Sequence, residues 1–172
     1  LLDILDTDVR YINPVYIGPA VEYFSDGSYM DIWGVRKAQI SNEYGDYAEA
    51  INSPYKNWKD TKEAEKFPWP SSDWYDYSSI PAMCSRYPKR AIAVGSFFVQ
   101  DFINGVARGR GVEETLIDIA EENPVFQFIV DKRHAFYMEM TERTLISAGG
   151  RIDIVLCGDD FGSQRGLLIS PN

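Results

Sequence analysis

Two short apolar runs separated by helical sequence constrain this chain more than anything else in it. Ala91-Ile92-Ala93-Val94-Gly95-Ser96 and Ile152-Asp153-Ile154-Val155-Leu156-Cys157 each have the length of a strand. Near-continuous apolar strands of this kind belong to parallel sheets covered on both faces. The residues between them carry helical patterning at about 99–108 and 112–122, with Glu113-Glu114 placed where carboxylates suit a helix dipole. Asn123-Pro124 then opens a long helix, about 124–147, which Gly149-Gly150 ends. Strand, helices, strand is a βαβ unit, and it predicts an α/β fold with a parallel sheet.

The first half reads differently. Val9-Arg10-Tyr11-Ile12 is extended and closes at Asn13-Pro14. Val21-Glu22-Tyr23-Phe24 turns at Ser25-Asp26-Gly27-Ser28 into Tyr29–Arg36, a hairpin signal, and a third strand is expected at about 37–44. Residues 51–90 are irregular, with a dense aromatic stretch from Phe67-Pro68-Trp69-Pro70 to Trp74-Tyr75-Asp76-Tyr77. Short helices are expected near 61–66, capped by Asp60 with Glu63 three residues on, and at 78–87. Flexible linkers are not this aromatic, so the segment reads as an excursion packed on a scaffold, with Trp69 and Trp74 in a local core.

Charge and composition exclude some functions. The net charge is −9, whereas a protein that grips nucleic acid needs Lys and Arg to displace counterions from phosphates. No apolar run approaches the roughly 18 residues of a membrane helix and no signal peptide is read, so the cytoplasm is the expected compartment. One histidine, His134, lies within the long helix and reads as a surface residue; Cys84 and Cys157 are far apart, and Cys157 reads as a buried thiol. These donors cannot build a familiar zinc site alone. Gly105-Val106-Ala107-Arg108-Gly109-Arg110-Gly111 lacks the spacing of a dinucleotide fingerprint.

Chemistry is expected in Gly158-Asp159-Asp160-Phe161-Gly162-Ser163-Gln164-Arg165-Gly166. It follows a parallel strand directly, where α/β folds place ligands. Asp159 and Asp160 are the candidate catalytic groups, and Gln164 and Arg165 candidate substrate contacts, Arg165 as an anion anchor. The alternative is that an aspartate caps a turn and Arg165 pairs with it. Ser96, at the end of the preceding strand, is expected to hydrogen-bond substrate, with Asp101, Asn104 and Arg110 following. Trp33 either packs the hairpin or stacks on a ligand.

Several stretches together resemble the uroporphyrinogen decarboxylase superfamily: Asp8-Val9-Arg10-Tyr11, Asp26-Gly27 with Asp31-Ile32-Trp33-Gly34-Val35, Pro68-Trp69-Pro70, and above all Ile152 through Gly166. The similarity is greatest to uroporphyrinogen decarboxylase-like members related to methylcobamide:coenzyme M methyltransferases. That resemblance implies a partial (β/α)8 TIM barrel, roughly strands 2–4, with residues 1–172 a fragment of one barrel domain and the hairpin and aromatic insertion at about 20–88. The apolar start and the Ser170-Pro171 ending agree with a cut chain. It also implies an enzyme acting on a corrinoid or tetrapyrrole ligand, with a corrinoid protein as a partner and with zinc and a corrinoid in the full-length protein, the zinc ligands falling outside this chain. Corrinoid-dependent methyl transfer is the leading expectation. Uroporphyrinogen decarboxylation is the next, followed by a carbohydrate-active barrel or a non-catalytic corrinoid- or tetrapyrrole-binding protein.

Overall fold

A computed structural model describes residues 4–95 and 101–170. The extended segments come first: β1 (Val9–Tyr11), β2 (Val15–Tyr16), β3 (Tyr29–Met30), β4 (Arg36–Asn42) and β5 (Gly45–Ala50). The excursion then supplies α1 (Thr61–Glu65), β6 (Tyr75–Asp76) and α2 (Ile80–Ser85). The βαβ region follows as β7 (Ala91–Gly95), α3 (Ile103–Arg110), α4 (Val112–Ala120), α5 (Pro124–Ala148) and β8 (Ile154–Leu156), with β9 (Gly162–Ser163) and β10 (Gly166–Leu167) last. Local signals account for many of these boundaries. Asp60 accepts from the Lys62 and Glu63 amides to start α1, Asn123 Oδ1 accepts from the Val125 amide at the head of α5, and Gly149 and Gly150 take positive φ at its end. Among the described residues, no helix is long and apolar enough to cross a membrane.

The chain divides into two compact units. The first comprises residues 1–18, 71–101 and 135–159. Its centre is the parallel sheet β1-β7-β8, in which Val9 pairs with Ala91, and Ala93 with Ile154. Ile12, Ile80, Cys84, Ile92 and Ala148 form its core, with Met83 and Ile152 packed against them. Asp153 accepts from the Ile92 amide at 2.8 Å, tying the entrance of β8 to β7. Antiparallel β2 and β6 make a second, two-stranded sheet.

The second unit comprises residues 19–70, 102–134 and 160–172. Its sheet is the antiparallel meander β3-β4-β5, and β9 and β10 form a hairpin. The core is aromatic: Tyr55, Val106, Val125 and Ile129 are buried, with Trp58, Phe67 and Trp69 around them. Gly109 on α3 makes room for it, because a Cβ there would lie 2.3 Å from the Tyr55 ring. Arg110 crosses beneath, donating to Asp118 at 2.6 and 3.2 Å and to the carbonyls of Tyr55 (2.7 Å) and Trp58 (2.9 Å).

The expected partial TIM barrel is corrected by this arrangement. The parallel strands form a three-stranded open sheet, the other sheets are small and antiparallel, and no sheet among the described residues closes into a barrel. Three further expectations change. The return strand after Asp26-Gly27 is only two residues long, because Asp31 Oδ1 accepts from the Trp33 and Val35 amides and folds 31–35 into a turn. Cys157 is exposed while Cys84 is buried, since β8 is the last strand of its sheet and Ile154 and Val155 are themselves exposed. Trp69 and Trp74 fall in different units: Trp69 belongs to the second unit and Trp74 to the first, where it packs against Gly18.

Candidate functional site

Parallel pairing directs the carboxyl ends of β1, β7 and β8 to one edge of the first unit's sheet. Beyond β1 stand Ile12, whose amide donates to Ala93 O at 3.0 Å, and Asn13, whose Oδ1 lies 3.5 Å from the Gly95 amide. Beyond β8 the chain passes through exposed Cys157 and Gly158 to the half-buried Asp159. Open α/β sheets bind ligands at this edge because the strand ends splay and the loops there are free to vary. Gly95 takes a φ of +89°, and any residue with a Cβ would be strained there. Ser96 lies outside the described residues. Asp101 is buried, 2% exposed.

β2 runs on from the carboxyl end of β1 and carries Tyr16 against Tyr75 of β6, ring centroids 5.4 Å apart and edge-on. Burial raises the Tyr16 phenol and pushes Tyr75 up to about 12. Both stay protonated near neutrality, so they can donate a hydrogen bond to a ligand but cannot serve as bases.

The remaining candidates lie in the second unit. Asp160 is exposed, and its Oδ1 accepts from the Gly162 amide at 3.1 Å, so one carboxylate oxygen shapes the turn into β9. Gln164 and Arg165 form the tip of the β9–β10 hairpin and are exposed; the Arg165 amide donates to Ser163 Oγ at 3.2 Å. Asn104 on α3 donates to the Asp160 carbonyl at 3.4 Å. Trp33 is 7% exposed, with the Arg133 guanidinium 4.2 Å over its ring and the Tyr55 hydroxyl donating to its carbonyl. Gly105 makes that stack fit, as a Cβ there would collide with the guanidinium. His134 is exposed, with its ring 5.9 Å from that of Phe102.

Asn13-Pro14 signals the close of a strand, and local sequence does not reveal that Asn13 reaches the β7 end at Gly95. Arg110 was noted as a polar residue near the loop. It is instead a buried anchor of the second unit's core. Among the described residues no group of three His, Cys, Asp or Glu side chains could hold a metal ion. The donors described do not fit zinc. No family model, curated protein or solved structure significantly matches the chain.

Proposed function

We propose that this chain forms part of a uroporphyrinogen decarboxylase-superfamily enzyme of the corrinoid-dependent methyltransferase-like branch, and that it supplies ligand-binding groups at the carboxyl edge of its parallel sheet. The supporting observation is Asp159, which stands directly beyond β8 at the edge shared by the ends of β1 and β7. The motif similarity through Gly158–Gly166 supports the same reading. On this reading Asp159 is a hydrogen-bonding or proton-transfer group, Asn13 orients a ligand from the neighbouring strand end, and the tyrosines offer neutral donors.

The test uses protein expressed from the reading frame that encodes this chain. Methylcobalamin demethylation with a thiol acceptor is followed by visible absorbance, and uroporphyrinogen decarboxylation is run in parallel. Methyl transfer is the expected activity. Asp159→Asn should lower kcat/KM by about 100-fold, the ordinary weight of a proton-transfer group. Asp160→Asn keeps an acceptor for the Gly162 amide and isolates the effect of charge at that position. Decarboxylation without methyl transfer would reassign the branch. Neither turnover nor binding of hydroxocobalamin or uroporphyrin would overturn the reading.

A further inference from the structure

A second feature lies wholly within the second unit and is independent of the parallel sheet. β5 is the outer strand of the meander, and an open cleft of about 600 Å³ lies between it and one face of α3. Successive side chains of a strand point to opposite faces, so a space lined by Ala48, Glu49 and Ala50 in turn runs along the strand's edge. The helix side presents Asn104, Ala107 and Gly111, three and four residues apart and hence on one face. Ala107 and Gly111 are small, which leaves room for a chain beside β5.

The backbone of β5 specifies what fits there. The Ile51 amide donates to the Arg36 carbonyl at 2.9 Å, and β4 and β5 continue in unbroken register from Lys37 and Ala50 to Asn42 and Gly45. Alternate residues of an antiparallel pair exchange these bonds, so Gly45, Tyr47 and Glu49 face β4. The N–H and C=O groups of Asp46, Ala48 and Ala50 face outward, and nothing among the described residues takes them up. Outer strands are ordinarily blunted by Pro, Lys or a bulge, and β5 has none of the three.

Charge selects the occupant. Lys37 is held by Asp31 at 3.1 Å, and Arg108 on α3 is engaged as well. Glu43, in the turn before β5, and Asp46 and Glu49 within it make no ion pair among the described residues. A second copy of β5 laid against the first would bring like charges together, whereas a strand carrying Lys or Arg would neutralise them.

We propose that β5 accepts an extended, basic segment of a partner protein as an added strand between itself and α3. The outward groups of Asp46, Ala48 and Ala50 bond the backbone of that segment, and Glu49 meets a Lys or Arg side chain on it.

The probe is the acetylated, amidated peptide Val-Lys-Val-Lys-Val, fluorescein-labelled for anisotropy and unlabelled for amide NMR of the whole chain. Saturable binding with a Kd of about 1 mM or tighter is expected. The amides of Asp46, Ala48 and Ala50 should shift and exchange more slowly, while those of Tyr47 and Glu49 change little. The same peptide N-methylated at every residue keeps its charge but cannot donate, and should bind at least about tenfold more weakly. Ala48→Pro should cost a similar factor, since an edge strand tolerates Pro where the N–H faces outward and the variant lacks that donor. Ala107→Leu fills the cleft from the helix side, leaves β5 untouched and should also weaken binding. No saturable binding, equal affinity for the N-methylated peptide, or unchanged affinity in both variants would overturn the proposal. Self-association that shifts the same amides without peptide would overturn it in favour of a second copy.

Discussion

Replacing Arg110 by Met should be among the most damaging single changes to the second unit. Arg110 is 5% exposed and Asp118 3%. The guanidinium donates twice to that carboxylate and also to the Tyr55 and Trp58 carbonyls. Met fills similar volume but leaves Asp118, among the described residues, with the Asn123 amide at 2.7 Å, and leaves two carbonyls without this donor. Removing one partner of a buried ion pair costs about 3–5 kcal/mol. Adding Asp118→Leu removes the stranded charge, yet the carbonyls keep an unmet demand of about 1–3 kcal/mol each. The double variant should therefore recover only part of the loss. Lys at 110 keeps the charge but cannot span carboxylate and carbonyls together, so about 2 kcal/mol should still be lost. Three of the four tryptophans, Trp33, Trp58 and Trp69, lie in this unit, so urea unfolding followed by tryptophan fluorescence reports on it. With a denaturant slope of about 1–3 kcal/mol per molar, Arg110→Met should lower the midpoint by about 2 M. A midpoint within 0.3 M or so of the unaltered protein, or a Lys variant indistinguishable from it, would refute the bridging role.

Gly109→Ala should destabilise the same unit by about 1–3 kcal/mol through overpacking against Tyr55, read as a lowered urea midpoint; an unchanged midpoint would show that the ring yields freely. Asp60→Ala should cost about 1 kcal/mol through loss of the α1 cap, seen as faster amide exchange at Lys62 and Glu63. Hydrogen bonds from the Ser28 hydroxyl and amide, aided by Arg36, hold the Asp26 carboxyl down to about 2. Because the folded value is depressed, its stabilisation is complete above the ordinary carboxylate range and is lost as pH falls through about 2. NMR titration of this carboxyl should give that value, and Ser28→Ala should move it upward.

Features set by neighbours in sequence were legible, and those set by distant partners were not. Asp60, Asn123-Pro124 and Gly149-Gly150 mark helix ends through their own backbone chemistry, and the helices begin and end close to them. The turn at Asp26-Gly27 is present, with the Gly27 amide donating to Phe24 O at 3.0 Å. β5 escaped notice because Gly45-Asp46-Tyr47-Ala48-Glu49-Ala50 is poor strand sequence; pairing along the whole of β4 recruits it. The apolar run of β8 promised burial, yet exposure depends on whether another strand lies beyond it, which no local pattern records. At the candidate site, the loop after β8 was legible as a position. The engagement of Asp160 in its own turn depended on which amide its carboxylate would meet. The glycines at 105 and 109 carry a signal, small residues one helical turn apart, but which large side chains they admit depends on distant partners, Arg133 and Tyr55.

The parallel sheet also sets a timetable for folding. β1 and its partner in β7 are separated by roughly eighty residues, and β7 and β8 by roughly sixty, so each pairing must close a long loop before it gains any contact. β4 and β5 are joined by a two-residue turn and can zip within microseconds. On a ribosome the meander can therefore form while β1 still waits for β7 to be made. The sheet edge that carries Asp159 can exist only after β8 has emerged, roughly sixty residues after β7, so it is assembled well after the meander.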